Sequence, residues 1–342
     1  MKQALTKLFS ATLRCWISMA MRRVIATLLA SAALLSVHGA ELAPESGNTN
    51  RPFRLAFTAS MFTDVNENDA HAAMKVWIST VAQERGIPVD YELRIFQTVQ
   101  EMVEACRTNQ IDGFGLVAPE YARLSQEMEF DRLAIAIHGG AITEEYVLLV
   151  HQDSGLEQIE QLRGRSLNVL VNPRMSLGLI WLDTLLLEAR QGRAAEFFGK
   201  VASFNKTSRV ALPVFFRQAD ACLMTRDSFK VMGELNPQLN QKIRILAASP
   251  AMVPSCFAFR KNFVSSYRPQ LLAEMSRLGD TPVGQQILML TQSERIEEHP
   301  VSCLDSALKL IATHERLCDA KDGIAPGGPV HLSGADQEKG QP

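Results

Sequence analysis

From residue 53 onward, short apolar or β-branched runs alternate with amphipathic helical stretches, and the alternation stops twice. Alternation of this kind folds as layers of helix on sheet. The first series reads as strand 53–58, helix 70–85, strand 91–96, a helix capped by Thr98 with Glu101 three residues on, strand 112–117, a helix opening at Pro119-Glu120, and strand 133–137. The second has strands at 146–151, 166–171, 201–204, 221–224 and 243–247, with helices at 156–162, 176–190 and 208–218. A strand at 256–259 and three helices running to Leu317 follow. The breaks fall at 139–143, which holds Gly139 and Gly140, and at 249–254, which holds Pro250 and Pro254. They bracket the second series. The expected fold is therefore α/β with two lobes, each a mostly parallel sheet flanked by helices. Lobe one takes 52–139 plus 254–320, lobe two takes 143–250, and two strands form the hinge. Clefts at such junctions hold ligands, and hinge closure around them is an established motion.

The N-terminus has the layout of an export signal. Met21-Arg22-Arg23 is basic, 24–37 is apolar, and small residues follow at Gly39 and Ala40. The apolar run is shorter than the roughly 20 residues that span a bilayer. A signal peptide over 1–40 is expected, with the start possibly at Met19 or Met21 and cleavage near Gly39 or Ala40. An exported mature protein is therefore expected. No cysteine follows the apolar run, so a lipid anchor is not supported. From residue 321, Gly, Pro and charged residues dominate, and a disordered tail to 342 is expected. A formal net charge of −2 makes no electrostatic case for nucleic acid. Of six cysteines, Cys15 leaves with the leader. The remaining number is odd, so at least one is a free thiol or pairs between chains. Whether Cys222 and Cys256 form a disulfide stays open at this stage.

Several chemical motifs fail. Asp64-Val65-Asn66-Glu67-Asn68 imitates the start of a calcium loop, but Asp69 stands where the turn needs Gly and Lys75 where the loop needs Glu. Gly113 to Ala118 fits a loose dinucleotide fingerprint, yet its glycines fall inside a strand. Neither His-Glu-x-x-His nor Gly-x-Ser-x-Gly occurs, and the histidines lack metal-ligand spacing. No catalytic residue, metal or cofactor is expected, and the protein is not expected to be an enzyme.

Four segments in order carry a resemblance: Phe62-Thr63-Asp64-Val65-Asn66-Glu67-Asn68-Asp69-Ala70 before a helix with Trp77; Asp112-Gly113-Phe114-Gly115 with Tyr121; Leu162-Arg163-Gly164-Arg165-Ser166-Leu167; and Val214-Phe215-Phe216-Arg217-Gln218-Ala219-Asp220-Ala221-Cys222. Together they resemble the phosphonate/phosphate-type substrate-binding proteins of ABC transporters, over roughly residues 52–320. The resemblance implies a type II periplasmic binding-protein fold. It also implies capture of a small, anionic, phosphate- or phosphonate-like solute in an interlobe cleft, as a monomer, for an ABC permease. The alternative is a ligand-sensing protein that partners a membrane sensor. A periplasmic enzyme is the least favoured reading.

In this architecture ligands contact the loops after strand C-termini and the helix N-termini that follow, which suit anions. Three hydroxyl-bearing loops qualify. Thr58, Ser60, Met61 and Phe62 follow the first strand. Arg174 and Ser176 precede the long helix of lobe two. Lys206, Thr207 and Ser208 precede the next. Ser176 and Ser208 are equally expected as plain N-caps. Tyr121 has a family counterpart that lines the cleft. Glu144 and Glu145, at the first crossing, are read as hinge surface.

Overall fold

The computed structural model describes residues 51–63, 66–261 and 267–322. The expected leader and residues 323–342 of the expected tail lie outside them. The first series comprises β1 (Leu55–Thr58), α1 (Glu67–Arg85), β2 (Arg94–Phe96), α2 (Val99–Arg107), β3 (Gly113–Val117), α3 (Ala118–Leu124) and β4 (Phe130–Ile137). The second comprises β5 (Tyr146–His151), β6 (Ser166–Leu170), α4 (Gly178–Glu188), α5 (Ala194–Phe197), β7 (Lys200–Phe204), α6 (Thr207–Phe215), β8 (Ala221–Thr225), α7 (Arg226–Leu235), α8 (Pro237–Lys242) and β9 (Ile243–Ala248). The chain then returns through β10 (Ser255–Arg260), α9 (Arg268–Ser276), α10 (Pro282–Leu290), β11 (Arg295–Pro300) and α11 (Asp305–Asp322).

Local chemistry explains the boundaries. Asn66 opens α1, its side chain accepting from the amides of Asn68 and Asp69, and Gly86 closes it in the left-handed conformation. Asn66 is therefore a helix cap in the segment that imitated a calcium loop. The expected capping box forms at α2, where Thr98 accepts from Glu101 N and Glu101 from the Thr98 amide. Central strands β1, β3, β5 and β8 are buried along their whole length, which is why they read as unbroken apolar runs.

The strands form two sheets, in the orders β11-β4-β10-β3-β1-β2 and β7-β6-β8-β5-β9. The two-lobed α/β architecture is the expected one. In detail the sheets are mixed: β2, β1 and β3 run parallel, as do β7, β6 and β8, and β10 and β5, beside the hinge, run against them. The reason is connectivity. β5 enters the second sheet from the hinge and β10 re-enters the first, so each lies antiparallel to its neighbour from the βα series, β8 and β3; β9, which leaves toward the hinge, pairs antiparallel with β5.

Both glycines of β3 serve packing. A Cβ on Gly115 would lie 2.1 Å from Phe57 Cδ1, and one on Gly113 would lie 2.6 Å from Phe53 Cζ and 2.7 Å from Phe257 Cζ. A layer of phenylalanine rings lies directly on the strand backbone. It joins Trp77, Ile78, Leu271 and Ile287 in the apolar layer that includes side chains of α1, α9 and α10.

The two crossings pair with each other. Glu144 N donates to Met252 O at 2.8 Å and Met252 N to Glu144 O at 3.0 Å. Tyr146 N donates to Ser249 Oγ and Ser249 N to Tyr146 O. A third connection was not expected. α11, assigned from sequence to lobe one, packs along α4 of the second series and also touches α3. Leu304, Ala307 and Ile311 are buried there. Lys321 pairs with Glu196, and His314 Nε2 lies 3.8 Å from Asp183. All five described cysteines are free thiols; Cys222 and Cys256 lie on β8 and β10, in different sheets. Among the described residues no helix is long and apolar enough to cross a membrane.

Candidate functional site

β1 and β3 end at one edge of the first sheet; β6, β7 and β8 end at one edge of the second. The turn after β1 (Ala59–Phe62) touches the turn after β6 (Pro173–Met175), so the two edges meet. A cavity of about 120 Å³ opens at this meeting point. Met61 and Phe62 line it from the first turn, Pro173 and Arg174 from the second. Its depth is apolar, walled by Phe57, Trp77 and Phe257, and Ala134 and Ala136 contribute only methyl groups.

Arg174 sits at the mouth with its charge already shared. Its Nε donates to Glu144 Oε1 at 2.5 Å and its Nη2 to Asp227 Oδ2 at 2.7 Å. Tyr146 OH donates to its carbonyl. Glu144 is 3% exposed, so its reading as hinge surface is corrected: it is a buried anchor of the crossing. Burial pushes its pKa up while Arg174 pulls it down, and burial prevails. Burial also works against the charge on Arg174, but the two carboxylates outweigh it and hold the guanidinium protonated. These directions pull apart for one pair. The short contacts favour a charged Arg174, with Glu144 the more weakly held charge. Glu145, by contrast, is half-exposed and pairs with Arg226. His138 lines the same mouth. Burial lowers its pKa to about 4, with Arg174 adding to the effect. Its Nδ1 lies 2.8 Å from the Gln292 carbonyl, so Nδ1–H donates and the ring is neutral at pH 7.

The three hydroxyl-bearing loops have different fates. Thr58 is fully buried and its Oγ1 donates to Glu120 Oε2 at 2.5 Å. Ser60 bonds the same carboxylate, and Val117 N donates to it at 3.2 Å. Burial raises the Glu120 pKa against these three bonds. Glu120, third residue of α3, is a site-edge residue that sequence reasoning passed over. The signal was its position one turn into a helix that follows a buried strand. Ser176 caps no helix. α4 begins at Gly178, and Ser176 Oγ donates to Pro254 O of the second crossing at 2.7 Å. Asn172 caps the turn instead, accepting from Met175 N.

The third loop is different. Lys206 is the N-cap of α6 without a side-chain cap bond, and Thr207 and Ser208 form the first turn. None of the three has a side-chain partner among the described residues. Leu170 of β6 and Phe204 of β7 are in register, so this turn lies on the cavity edge of the sheet, one strand out from Arg174. It does not line the cavity. Tyr121 is 4% exposed, its ring tilted against Phe130 at a centroid distance of 5.1 Å inside the core. The structure thus gathers Met61, Phe62 and Arg174 at the cavity and Thr58 and Ser60 on Glu120. It sets Lys206, Thr207 and Ser208 along the same edge and places Ser176 and Tyr121 in structural contacts. Among the described residues no cluster of His, Cys, Asp or Glu could hold a metal.

The family model for the ABC-transporter phosphonate periplasmic substrate-binding proteins matches residues 59–299. The solved binding-protein component of an ABC phosphonate transporter from Pseudomonas aeruginosa is 12% identical, with 79% of this chain and 89% of that chain covered and a TM-score of 0.54. The XAC2383 protein of Xanthomonas citri bound to ATP is 15% identical, with 78% and 98% covered and a TM-score of 0.56. PhnD1 from Prochlorococcus marinus in complex with methylphosphonate is 13% identical, with 80% and 99% covered and a TM-score of 0.51. At these identities the likeness is one of fold. No curated protein matches in sequence. The family model spans most of the chain, and the chain belongs to the family of periplasmic substrate-binding proteins of ABC phosphonate transporters.

Proposed function

We propose that this member of the family captures a small organic oxyanion between the facing edges of its two sheets and delivers it to an ABC permease from the periplasm. The solved relative that holds methylphosphonate supports the ligand class. The observation that carries the reading is the first turn of α6. A helix N-terminus, a lysine and two hydroxyls, without side-chain partners among the described residues, stand along the same sheet edge as the cavity. Such a turn offers free N–H groups, the positive end of the helix dipole and hydrogen-bond donors to an anion. Arg174 and Glu120 are committed to structural bonds, and burial holds His138 neutral.

Isothermal titration with methylphosphonate, inorganic phosphate and methanesulfonate tests the reading. At least one should bind, and Lys206→Ala with Thr207→Ala should weaken it. Each lost bond to a charged ligand is worth roughly 1.5–3 kcal/mol. Binding that ignores both substitutions would move the anion elsewhere along the edge.

A further inference from the structure

The helix α11 lies beyond residues 59–299, which the family model matches, and it does not stay in one lobe. Its sequence carries an apolar stripe: Leu304, Ala307, Leu308 and Ile311 follow the i, i+3, i+4, i+7 spacing of one helix face. Leu304 ends the turn Val301–Leu304, which packs on β4 of the first sheet. From there α11 packs along α4 of the second lobe and touches α3 of the first. α4 requires such a cover. Gly-Leu-Ile-Trp-Leu-Asp-Thr-Leu-Leu-Leu-Glu is apolar on nearly every face, and a helix of that kind is buried all round. β8 and α11 both pack on it, and between Gly178 and Leu187 only Leu179 is exposed. Past Ile311 the contacts turn polar. His314 Nε2 lies 3.8 Å from Asp183 of α4, and Lys321 pairs with Glu196 of α5. Gly192 makes room for that pair: a Cβ there would lie 2.6 Å from Glu196 Oε2 and 3.6 Å from Lys321 Nζ.

Two crossings alone let two lobes rotate about the line that joins them. Here the crossings bond to each other, Glu144 to Met252 and Tyr146 to Ser249, and bonds on that line do not resist the rotation. A contact away from it does. With 18 residues α11 is about 27 Å long, and its far end is pinned at Glu196, so it runs well clear of the crossings. We propose that α11 is a strap between the lobes: its first turn is anchored in the first lobe and its body on α4 of the second, so that the facing sheet edges part only when the helix lets go of one of them. The apolar stripe carries the hold. The Lys321–Glu196 pair is partly exposed, so it adds little energy and chiefly fixes where the helix end lies. Interdigitated side chains have discrete packings and do not slide continuously, so the open form is a minor population while the stripe is in place. The inference concerns the motion of the lobes and does not depend on which solute they take.

Small-angle X-ray scattering of the mature protein without solute, beside hydrogen exchange of residues 305–322, tests the strap. The wild-type profile should fit one compact conformation, and the amides of α11 should be protected like those of α4. Ile311→Glu puts a charge into the stripe. Exchange in α11 should then rise about tenfold or more, and the radius of gyration should increase. Ile311→Ala with Lys321→Ala is the gentler release if the first variant does not fold, which far-ultraviolet circular dichroism checks. A folded variant whose α11 exchanges freely while its radius keeps the wild-type value overturns the proposal. So does a wild-type profile that requires an open conformer, or protection of α11 that neither variant lowers. Because no solute enters the experiment, none of these outcomes touches the capture reading.

Discussion

Arg174 provides the sharpest discrimination between a ligand-binding and a structural role. Its guanidinium reaches Glu144 at 2.5 Å and Asp227 at 2.7 Å, with side chains 3% and 29% exposed. Arg174→Met keeps much of the side-chain volume and removes the charge. Breaking a buried ion pair by deleting one partner costs ~3–5 kcal/mol, because the other charge stays buried and unpaired. Water reaches Asp227 and relieves part of that, so the lower end, about 3 kcal/mol, is expected.

The loss should also depend on pH. Burial already holds the Glu144 carboxyl above its ordinary value in the folded state. A group raised on folding contributes stability while protonated and loses it as pH rises through its folded value. Without Arg174 the folded value rises further, so the penalty of the ionised carboxylate grows at neutral pH and fades on acidification. The gap between wild type and variant should therefore be largest at about pH 8 and shrink toward about pH 5. Urea denaturation at the two pH values reads it. Arg174→Met with Glu144→Gln should recover part of the loss in a double-mutant cycle. A loss under ~1 kcal/mol that is equal at both pH values would refute the argument. Reduced solute affinity without reduced stability would return Arg174 to the ligand.

Gly115→Ala should destabilise by about 1–3 kcal/mol in denaturant melts, because its Cβ would meet the Phe57 ring at 2.1 Å. That ring is itself hemmed in by Phe62 and Phe257 at centroid distances of 5.5 and 5.9 Å. Thr58→Val removes the shortest donor to Glu120 and should cost about 1–3 kcal/mol. Glu120 is raised by burial, so this loss too should be greater at neutral than at acid pH, and equal melts at both would count against it. Ile311→Ala, in the helix that joins the two series, should cost about 2–5 kcal/mol by calorimetry. A neutral result there would mean that α11 is not held against α4.

What the sequence reveals of this fold is the part fixed by short-range chemistry. The run Tyr146–His151 is apolar because both its faces are covered, and Thr98 with Glu101 closes its own capping box within one turn. β11 was invisible because Arg-Ile-Glu-Glu-His-Pro has no apolar alternation. It is an edge strand held to β4 by main-chain pairing, and Arg132 adds an ion pair to Glu298. The helix α11 was legible as a helix, but nothing in its own residues says that it reaches the second lobe. The site shows the same limit more sharply. Its donors are plain in the sequence, but their acceptors are not. Glu120 lies 62 residues from Thr58, Glu144 and Asp227 lie 30 and 53 residues from Arg174, and Pro254 lies 78 from Ser176. Folding consumes those donors. Among the described residues the Lys206 turn is left with its polar side chains unspent, and the cavity is lined by small residues of β3 and β4 beside large ones from other elements. In a binding protein of this kind, the groups free to meet a ligand are those that remain after the tertiary pairs have formed. The third hydroxyl loop and the apolar cavity are therefore where the specificity of this protein should be sought.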